Sequence, residues 1–215
     1  MIFLTRLLFF SLLYTQSYCD NLFSIDQDTL LNSEKKYGYE AKQRVKELIK
    51  LLNRLDKEPE LKKLNAINDF FNKMNYNTDL KVWRKKDYWA SRDEFIGVAN
   101  GDCEDYAIAK YFSLRQLGIP AEKIFLTYVK AIKYKQSHMI LTYFKSKGSI
   151  PLVLDNINTK ILPSTNRKDL KPLFSFNGEK IYMAKQRGLG RVVPSGKVNL
   201  SQWSELILKI KKEKK

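Results

Sequence analysis

Residues 101–107 read Gly101-Asp-Cys-Glu-Asp-Tyr-Ala107 and predict the start of a helix with a cysteine in its first turn. Asp102 is a suitable N-cap with Asp105 three residues later, and Gly118-Ile-Pro120 predicts the end of this helix. The unpaired N–H groups and the partial positive charge of a helix N-terminus favour a thiolate over a thiol. Cys103 is therefore a candidate nucleophile, although a buried cysteine can also serve only as a small apolar residue.

A thiolate nucleophile needs a general base and a group that orients the base. The only histidine of the chain, His138, lies near the start of a predicted strand on which it shares one face with Ile140 and Thr142. Asp155 directly follows another predicted strand. If the two strands are neighbours, the imidazole and the carboxylate meet at their ends. Spacing alone does not exclude the alternative that His138 has no chemical role.

The first half of the chain is predicted to be helical and the second half to consist of short strands. Apolar residues three and four positions apart predict a helix over 39–55, Pro59 begins a second helix, and Ser91-Arg-Asp-Glu94 fits a capping box. A terminal helix is expected over 200–210 and a loop over 188–196. Runs of β-branched and aromatic residues predict strands at 124–132, 138–144, 151–154, 172–176 and 180–183, the last two joined at Asn177-Gly178.

This order, helices first and then short strands joined by tight turns, predicts an α+β fold with an antiparallel sheet. We expect one domain over 20–215, with a helical half at about 20–120 and a β-rich half at about 121–215. A chain of 215 residues with 44% hydrophobic and 13% aromatic residues can bury a core, which excludes a disordered protein.

Residues 1–19 have the features of a secretory signal peptide. Arg6 precedes an apolar run, and Ser17 and Cys19 stand at −3 and −1 of a cleavage site before Asp20. The run is shorter than the roughly 20 residues that a spanning helix needs. Cleavage would leave an exported chain whose only cysteine is Cys103, and an uncleaved anchor or a lipid anchor is the alternative.

The chain is strongly basic, with a formal net charge of +16 at pH 7. Such an excess is typical of proteins that bind nucleic acids or membrane surfaces. Here lysines outnumber arginines and are spread along the whole chain, whereas nucleic-acid readers concentrate arginines and exposed aromatic residues on one face. We interpret the charge as solvated surface with some affinity for an acidic partner, and expect no nucleic-acid binding.

Three carboxylates surround the candidate nucleophile: Asp102, Glu104 and Asp105. Uncompensated, they would raise the pKa of the thiol by like-charge repulsion. One interpretation is ordinary helix capping, which needs no ligand. The other is a divalent cation, and oxygen ligands of this kind favour calcium.

Several motifs together resemble the bacterial transglutaminase-like cysteine proteinases, and within that family its periplasmic proteases. The resemblance extends from about Ile67 to Tyr182 and implies a papain- or transglutaminase-like fold in which the catalytic triad is Cys103, His138 and Asp155. The motifs are Asp87-Tyr-Trp-Ala90, Glu94-Phe95, the run 101–115 around the cysteine, Leu117-Gly-Ile-Pro120, His138-Met139 and Leu152-Val-Leu-Asp-Asn156.

In such a triad the backbone N–H of the cysteine is a natural donor to the oxyanion. A second donor would come from another side chain, with Trp83, Trp89 and Asn100 as candidates. Tyr88 and Trp89 either belong to the core or bind substrate beside the nucleophile helix.

The resemblance implies a calcium-dependent periplasmic cysteine endopeptidase with calcium bound by Asp102, Glu104 and Asp105. It implies cleavage of a large repeat-containing surface adhesin at a double-alanine site near its N-terminus, which controls biofilm attachment. The implied regulatory partner is an inner-membrane cyclic di-GMP receptor that sequesters the protease. A transglutaminase or amidase on the same fold is the first alternative, and a non-catalytic binding module is the second.

Overall fold

The structure, a computed structural model, describes residues 24–25, 27–194 and 198–213. The predicted signal peptide at 1–19 lies outside these residues. Within them, no helix has both the length and the apolar character that a membrane crossing requires.

Helices dominate the described chain up to Gln116, and one more follows the strands. The predicted helices over 39–55, after Pro59 and after Ser91 are confirmed. At the last of these the capping box is complete, because the Ser91 hydroxyl accepts from the Glu94 N–H and the Glu94 carboxylate accepts from the Ser91 N–H. The α-helices of the described residues are α1 (Gln27–Tyr37), α2 (Tyr39–Leu55), α3 (Glu60–Phe71), α4 (Asp79–Trp83), α5 (Arg92–Val98), α6 (Cys103–Gln116) and α7 (Ser201–Glu213).

The strands form two sheets. A short parallel pair joins β1 (Asn75–Tyr76) to β2 (Asn100–Gly101), immediately before α6. The strands of the larger sheet are β3 (Ile124–Ala131), β4 (Gln136–Tyr143), β5 (Leu152–Leu154), β6 (Leu162–Pro163), β7 (Leu170–Phe176), β8 (Ile181–Lys185) and β9 (Gly188–Val192). Their order is β6-β5-β4-β3-β7-β8-β9, and every neighbouring pair is antiparallel. The α+β class with an antiparallel sheet is therefore confirmed.

The prediction of a loop over 188–196 is wrong for its first five residues, which form the edge strand β9. Residues 195–196 of that prediction lie outside the described residues. Two of the five residues of β9 are glycines, which have no side chain, so the sequence shows no alternating strand pattern there. Position 190 requires glycine because a Cβ there would lie 2.8 Å from the carbonyl oxygen of Met183 on the neighbouring strand.

Helix α6 occupies the centre of the main core and is buried on almost all of its sides from Cys103 to Leu114. It packs on β4, whose residues Met139, Leu141 and Tyr143 belong to the same core. The alternate β4 residue Ile140 belongs to a second apolar cluster on the opposite face of the sheet. The two predicted faces of β4 are thus confirmed, and α6 is fixed against one of them.

Truncating a buried side chain of α6 should destabilise the whole domain. We expect Ile108→Ala to lower the free energy of unfolding by about 2–5 kcal/mol, because it leaves a cavity in the main core. The matched control is Leu208→Ala on α7, which is exposed and should cost about 0.5 kcal/mol or less. Urea unfolding followed by circular dichroism measures both. Equal midpoints for the two variants would contradict a core centred on α6.

Candidate active site

Cys103 is the first residue of α6, and its side chain is 9% exposed. The thiol donates to Glu104 Oε2 at 2.8 Å. Although burial has the larger, opposite effect, the backbone N–H of Met139, the residue next to His138 on β4, faces the sulfur and lowers the pKa of the thiol. The packing of α6 on β4 therefore brings the sulfur to the strand that carries the histidine.

The surroundings of the sulfur work against the thiolate. Burial raises the pKa of the Cys103 thiol well above its ordinary value, and the neighbouring Glu104 and Asp102 carboxylates raise it further. The expected N-cap, Asp102, occupies the capping position but makes no side-chain cap hydrogen bond. The effect of the helix N-terminus is thus opposed by burial and by acidic neighbours.

The side chains of His138 and Asp155 are fully buried, and the distance from His138 Nε2 to Asp155 Oδ1 is 2.8 Å. Strand register explains the contact, because β4 pairs with β5 through Leu141 and Leu154, and Asp155 directly follows β5. Although burial opposes ionisation, the hydrogen bond and charge of His138 hold the pKa of Asp155 well below its usual range. The imidazole and the carboxylate therefore meet at the strand ends.

Asp155 is held from several directions. Its Oδ1 atom also accepts from the Ile157 N–H at 3.0 Å, and its Oδ2 atom accepts from Arg167 Nη2 at 2.7 Å. Its backbone carbonyl accepts from Asn72 Nδ2 at 2.9 Å and from Lys110 Nζ at 3.2 Å. Every hydrogen-bonding oxygen of Asp155 thus has a donor, which fixes the carboxylate toward His138.

Lys110 is a fully buried lysine on α6, two turns after Cys103. Its ammonium group donates to Asn68 Oδ1 at 2.9 Å and to Asn72 Oδ1 at 2.7 Å. Burial lowers its pKa to about 7, while the negative charge of Asp155 opposes this decrease. Sequence reasoning missed this residue, and the available signal was a single lysine within the apolar run of the nucleophile helix.

A cluster of carboxylates lies next to the nucleophile. Oxygens of Asp79, Asp102 and Asp105 approach within 4.8 Å of one another, and Glu104 joins Asp102 and the Cys103 sulfur in an overlapping group. Asp79 was not anticipated, because it lies 23 residues before Asp102 and only the fold brings it close. Its Oδ1 atom and that of Asp102 are buried without a hydrogen-bond partner in the described part of the chain.

The carboxylates perturb one another strongly. Burial raises the pKa of Asp102 to about 9, with contributions from Glu104 and Asp105. Burial likewise raises the pKa of Asp105 to about 7, opposed by a hydrogen bond from the Ala90 N–H. This cluster brings several carboxylate oxygens close together, and not all of them are hydrogen-bonded within the described residues. Such oxygen ligands suit a hard divalent cation such as calcium.

The aromatic residues before α6 are largely engaged in packing. Trp89 is 4% exposed and stacks on Phe176, with ring centroids 6.1 Å apart. The Tyr88 hydroxyl donates to Glu94 Oε1 at 2.7 Å and accepts from Lys209 Nζ at 2.9 Å. Substrate binding by Tyr88 and Trp89 stays a prediction.

The three candidates for the second oxyanion donor differ in their hydrogen bonding. Trp83 Nε1 lies 3.5 Å from Asp105 Oδ2, and the Asn100 amide nitrogen donates to the Val98 carbonyl at 3.0 Å. Trp89 Nε1 is buried and has no hydrogen-bond partner among the residues that the structure describes. Of the three side-chain nitrogens, that of Trp89 is the one that makes no hydrogen bond within the described residues.

A comparison with known families gives a match to the family model described as "bacterial transglutaminase-like cysteine proteinase BTLCP" over residues 35–169. The chain belongs to this family. The matched segment contains Cys103, His138 and Asp155. A comparison with curated protein sequences gave no match.

Solved structures of LapG from Legionella pneumophila are similar to this family member over most of its length. Three of them share 35% sequence identity with it and cover 86% of its chain, with TM-scores of 0.73, 0.74 and 0.74. The alignments cover 96%, 96% and 99% of the LapG chains. The second structure is of EGTA-treated LapG and the third of calcium-bound LapG. The protein is therefore a LapG-like cysteine proteinase with a transglutaminase-like fold.

Neutralising one carboxylate of the cluster should change how stability depends on pH in metal-free buffer. The pKa of Asp105 rises on folding from its ordinary value of 3.8 to about 7, so the native state binds more protons than the unfolded state between these values. The contribution of Asp105 to stability is therefore complete below about pH 4 and declines as the pH rises to about 7.

We expect Asp105→Asn to flatten this decline, because the amide carbonyl can still accept from Ala90 without ionising. Urea unfolding at a series of pH values measures the slope. The matched control, Asp56→Asn, replaces an exposed carboxylate after α2 and should keep the wild-type slope. An unchanged slope in Asp105→Asn would be evidence against the crowded cluster.

Proposed function

We propose that the protein is a calcium-dependent periplasmic cysteine endopeptidase in which Cys103, His138 and Asp155 form the catalytic triad. The observation that carries the proposal is the buried hydrogen bond between His138 and Asp155, on a strand whose next residue, Met139, directs its backbone N–H toward the Cys103 sulfur. This hydrogen bond occurs in a member of a cysteine proteinase family, within the segment that the family model matches.

The roles follow from the chemistry of each group. Cys103 attacks the peptide carbonyl as a thiolate paired with protonated His138, and the Cys103 backbone N–H donates to the oxyanion. His138 then protonates the leaving amine and later activates the water that releases the acyl-enzyme. Asp155 keeps the His138 Nε2 atom protonated, so that Nδ1 is the nitrogen that exchanges protons with the sulfur and the substrate.

Asp79, Asp102, Glu104 and Asp105 are the residues that would hold calcium. The support is the pair of buried oxygens in this cluster that have no hydrogen-bond partner among the described residues, and the likeness to LapG, for which a calcium-bound structure is known. Bound calcium supplies positive charge that offsets these carboxylates and so favours ionisation of the neighbouring thiol. Glu104, which accepts the hydrogen bond of the thiol, is the residue that links the cluster to the nucleophile.

From the family resemblance we also propose the substrate and the setting. The substrate is a large repeat-containing surface adhesin, cut near its N-terminus at a double-alanine site to control biofilm attachment. An inner-membrane cyclic di-GMP receptor sequesters the protease in the periplasm, which the protein reaches through its signal peptide. The net charge of +16 is consistent with an acidic surface on one of these partners.

Removing the sulfur should abolish proteolysis without unfolding the protein. We expect Cys103→Ala and Cys103→Ser to give no cleavage of a recombinant N-terminal fragment of the organism's own adhesin on a gel. Their unfolding midpoints should stay close to that of wild type, since the side chain is small. The exposed-site variant Leu208→Ala serves as the active control. Residual cleavage by Cys103→Ala would contradict the assignment, and amine crosslinking in place of cleavage would favour a transglutaminase.

Removing calcium should suppress cleavage, and adding it back should restore cleavage. EGTA should also lower the thermal unfolding midpoint, because a ligand that binds only the native state stabilises it. We expect Asp79→Asn to raise the calcium concentration needed for both effects, whereas Asp56→Asn should leave it unchanged. Full activity and an unchanged midpoint in EGTA would contradict the calcium proposal.

A further inference from the structure

Arg167 is a buried arginine outside the predicted triad. It directly follows the 3₁₀ turn Ser164–Asn166, and only 2% of the residue is exposed. Its Nη2 atom donates to Asp155 Oδ2 at 2.7 Å and to Asp169 Oδ2 at 2.8 Å, and its Nε atom donates to Asp169 Oδ1 at 3.0 Å. Its Nη1 atom has no hydrogen-bond partner among the described residues.

A row of alternating charges therefore leads from the surface to the histidine. Asp169 is half exposed, Arg167 and Asp155 are buried, and His138 follows. Burying an arginine costs several kcal/mol unless its interactions repay the loss of hydration. Since one nitrogen of this guanidinium lacks a partner in the described part of the chain, the burial of Arg167 is not explained by a complete set of hydrogen bonds.

The two carboxylate oxygens of Asp155 have different hydrogen-bond donors. Oδ1 accepts from His138 and from the Ile157 N–H, whereas Oδ2 is bonded to Arg167. Without the arginine, Oδ2 would be a buried, charged oxygen with no donor. The carboxylate would then take up a proton or rotate, and either change would weaken its hydrogen bond to His138.

We propose that Arg167 is a positioning residue that keeps Asp155 ionised and its Oδ1 atom directed at His138 Nε2, and thereby sets the tautomer and orientation of the imidazole. The inference rests on the proposed function, because it makes Arg167 a support of the proposed triad. Among the described residues, the other titratable groups that contact Asp155 are His138 from β4 and Lys110 from α6, the latter at the backbone carbonyl. Arg167 is thus the cation that contacts the second carboxylate oxygen.

The single histidine of the chain allows a direct test that needs no substrate. With ¹⁵N-histidine labelling and a purification tag that lacks histidine, one pair of ring nitrogens is observed by NMR. In the full chain we expect the Nε2–H tautomer, with its proton protected from exchange by the bond to Asp155. The variants are Arg167→Met, Arg167→Lys and the matched control Asp169→Asn, which keeps the bond between Arg167 and Asp155.

Arg167→Met should lose the protected Nε2 proton and give averaged ring nitrogen shifts from mixed tautomers. Asp169→Asn should give the wild-type spectrum, and Arg167→Lys an intermediate one. A folded Arg167→Met with the wild-type ring spectrum would overturn the proposal. If this variant does not fold, Arg167→Gln replaces it with the same two outcomes. Failure of both to fold would show that Arg167 serves the fold and not the histidine, and would also overturn the proposal.

Activity gives a second readout once a cleavable adhesin fragment is in hand. Misorienting the base should lower kcat about 10- to 100-fold and change KM little, because Arg167 lies behind Asp155 and does not line the nucleophile. Arg167→Lys should recover part of the lost kcat. Failure of wild type to cleave any fragment would count against the proposed function, whereas the spectrum of His138 would still decide the role of Arg167.

Discussion

The packing of helix α6 on strand β4 is the constraint on which the site depends. The helix carries Cys103 at its first position and Lys110 two turns later, and the strand carries His138. Lys110 donates to the backbone of Asp155, so one helix fixes both the sulfur and the support of the carboxylate. Because α6 is buried on almost every side, it has little freedom to move relative to the sheet, and the site inherits this rigidity.

The charges around the site divide into two groups of opposite sign. Basic groups, Arg167 and Lys110, surround Asp155, whose pKa is lowered by its hydrogen bonds and the charge of its partners although burial opposes this. Carboxylates surround Cys103, and together with burial they raise the pKa of the thiol. The base is therefore supported by the chain's own residues, whereas the nucleophile needs compensating charge. This asymmetry gives calcium dependence a physical basis in the proposed function.

Local sequence signals predicted the elements that local physics determines. The capping box at Ser91, the helix that begins at Cys103 and the alternating faces of β4 all follow from short-range patterns, and the family motifs led to the fold. The edge strand β9 was not predicted, because its glycines allow close backbone packing and give no strand pattern. The roles of Asp79 and Arg167 were not predicted, because their partners are distant in sequence. Nothing in a single sequence shows that an aspartate or an arginine will be buried.

We infer that Cys103 and the His138–Asp155 pair act as one unit. The most direct measurement is the rate of alkylation of Cys103 by iodoacetamide as a function of pH, in calcium, followed by mass spectrometry of the Cys103 peptide in wild type and His138→Ala. We expect wild type to stay reactive well below the pH at which an ordinary thiol ionises, and His138→Ala to lose this reactivity. Identical profiles for the two proteins would contradict coupling between Cys103 and His138.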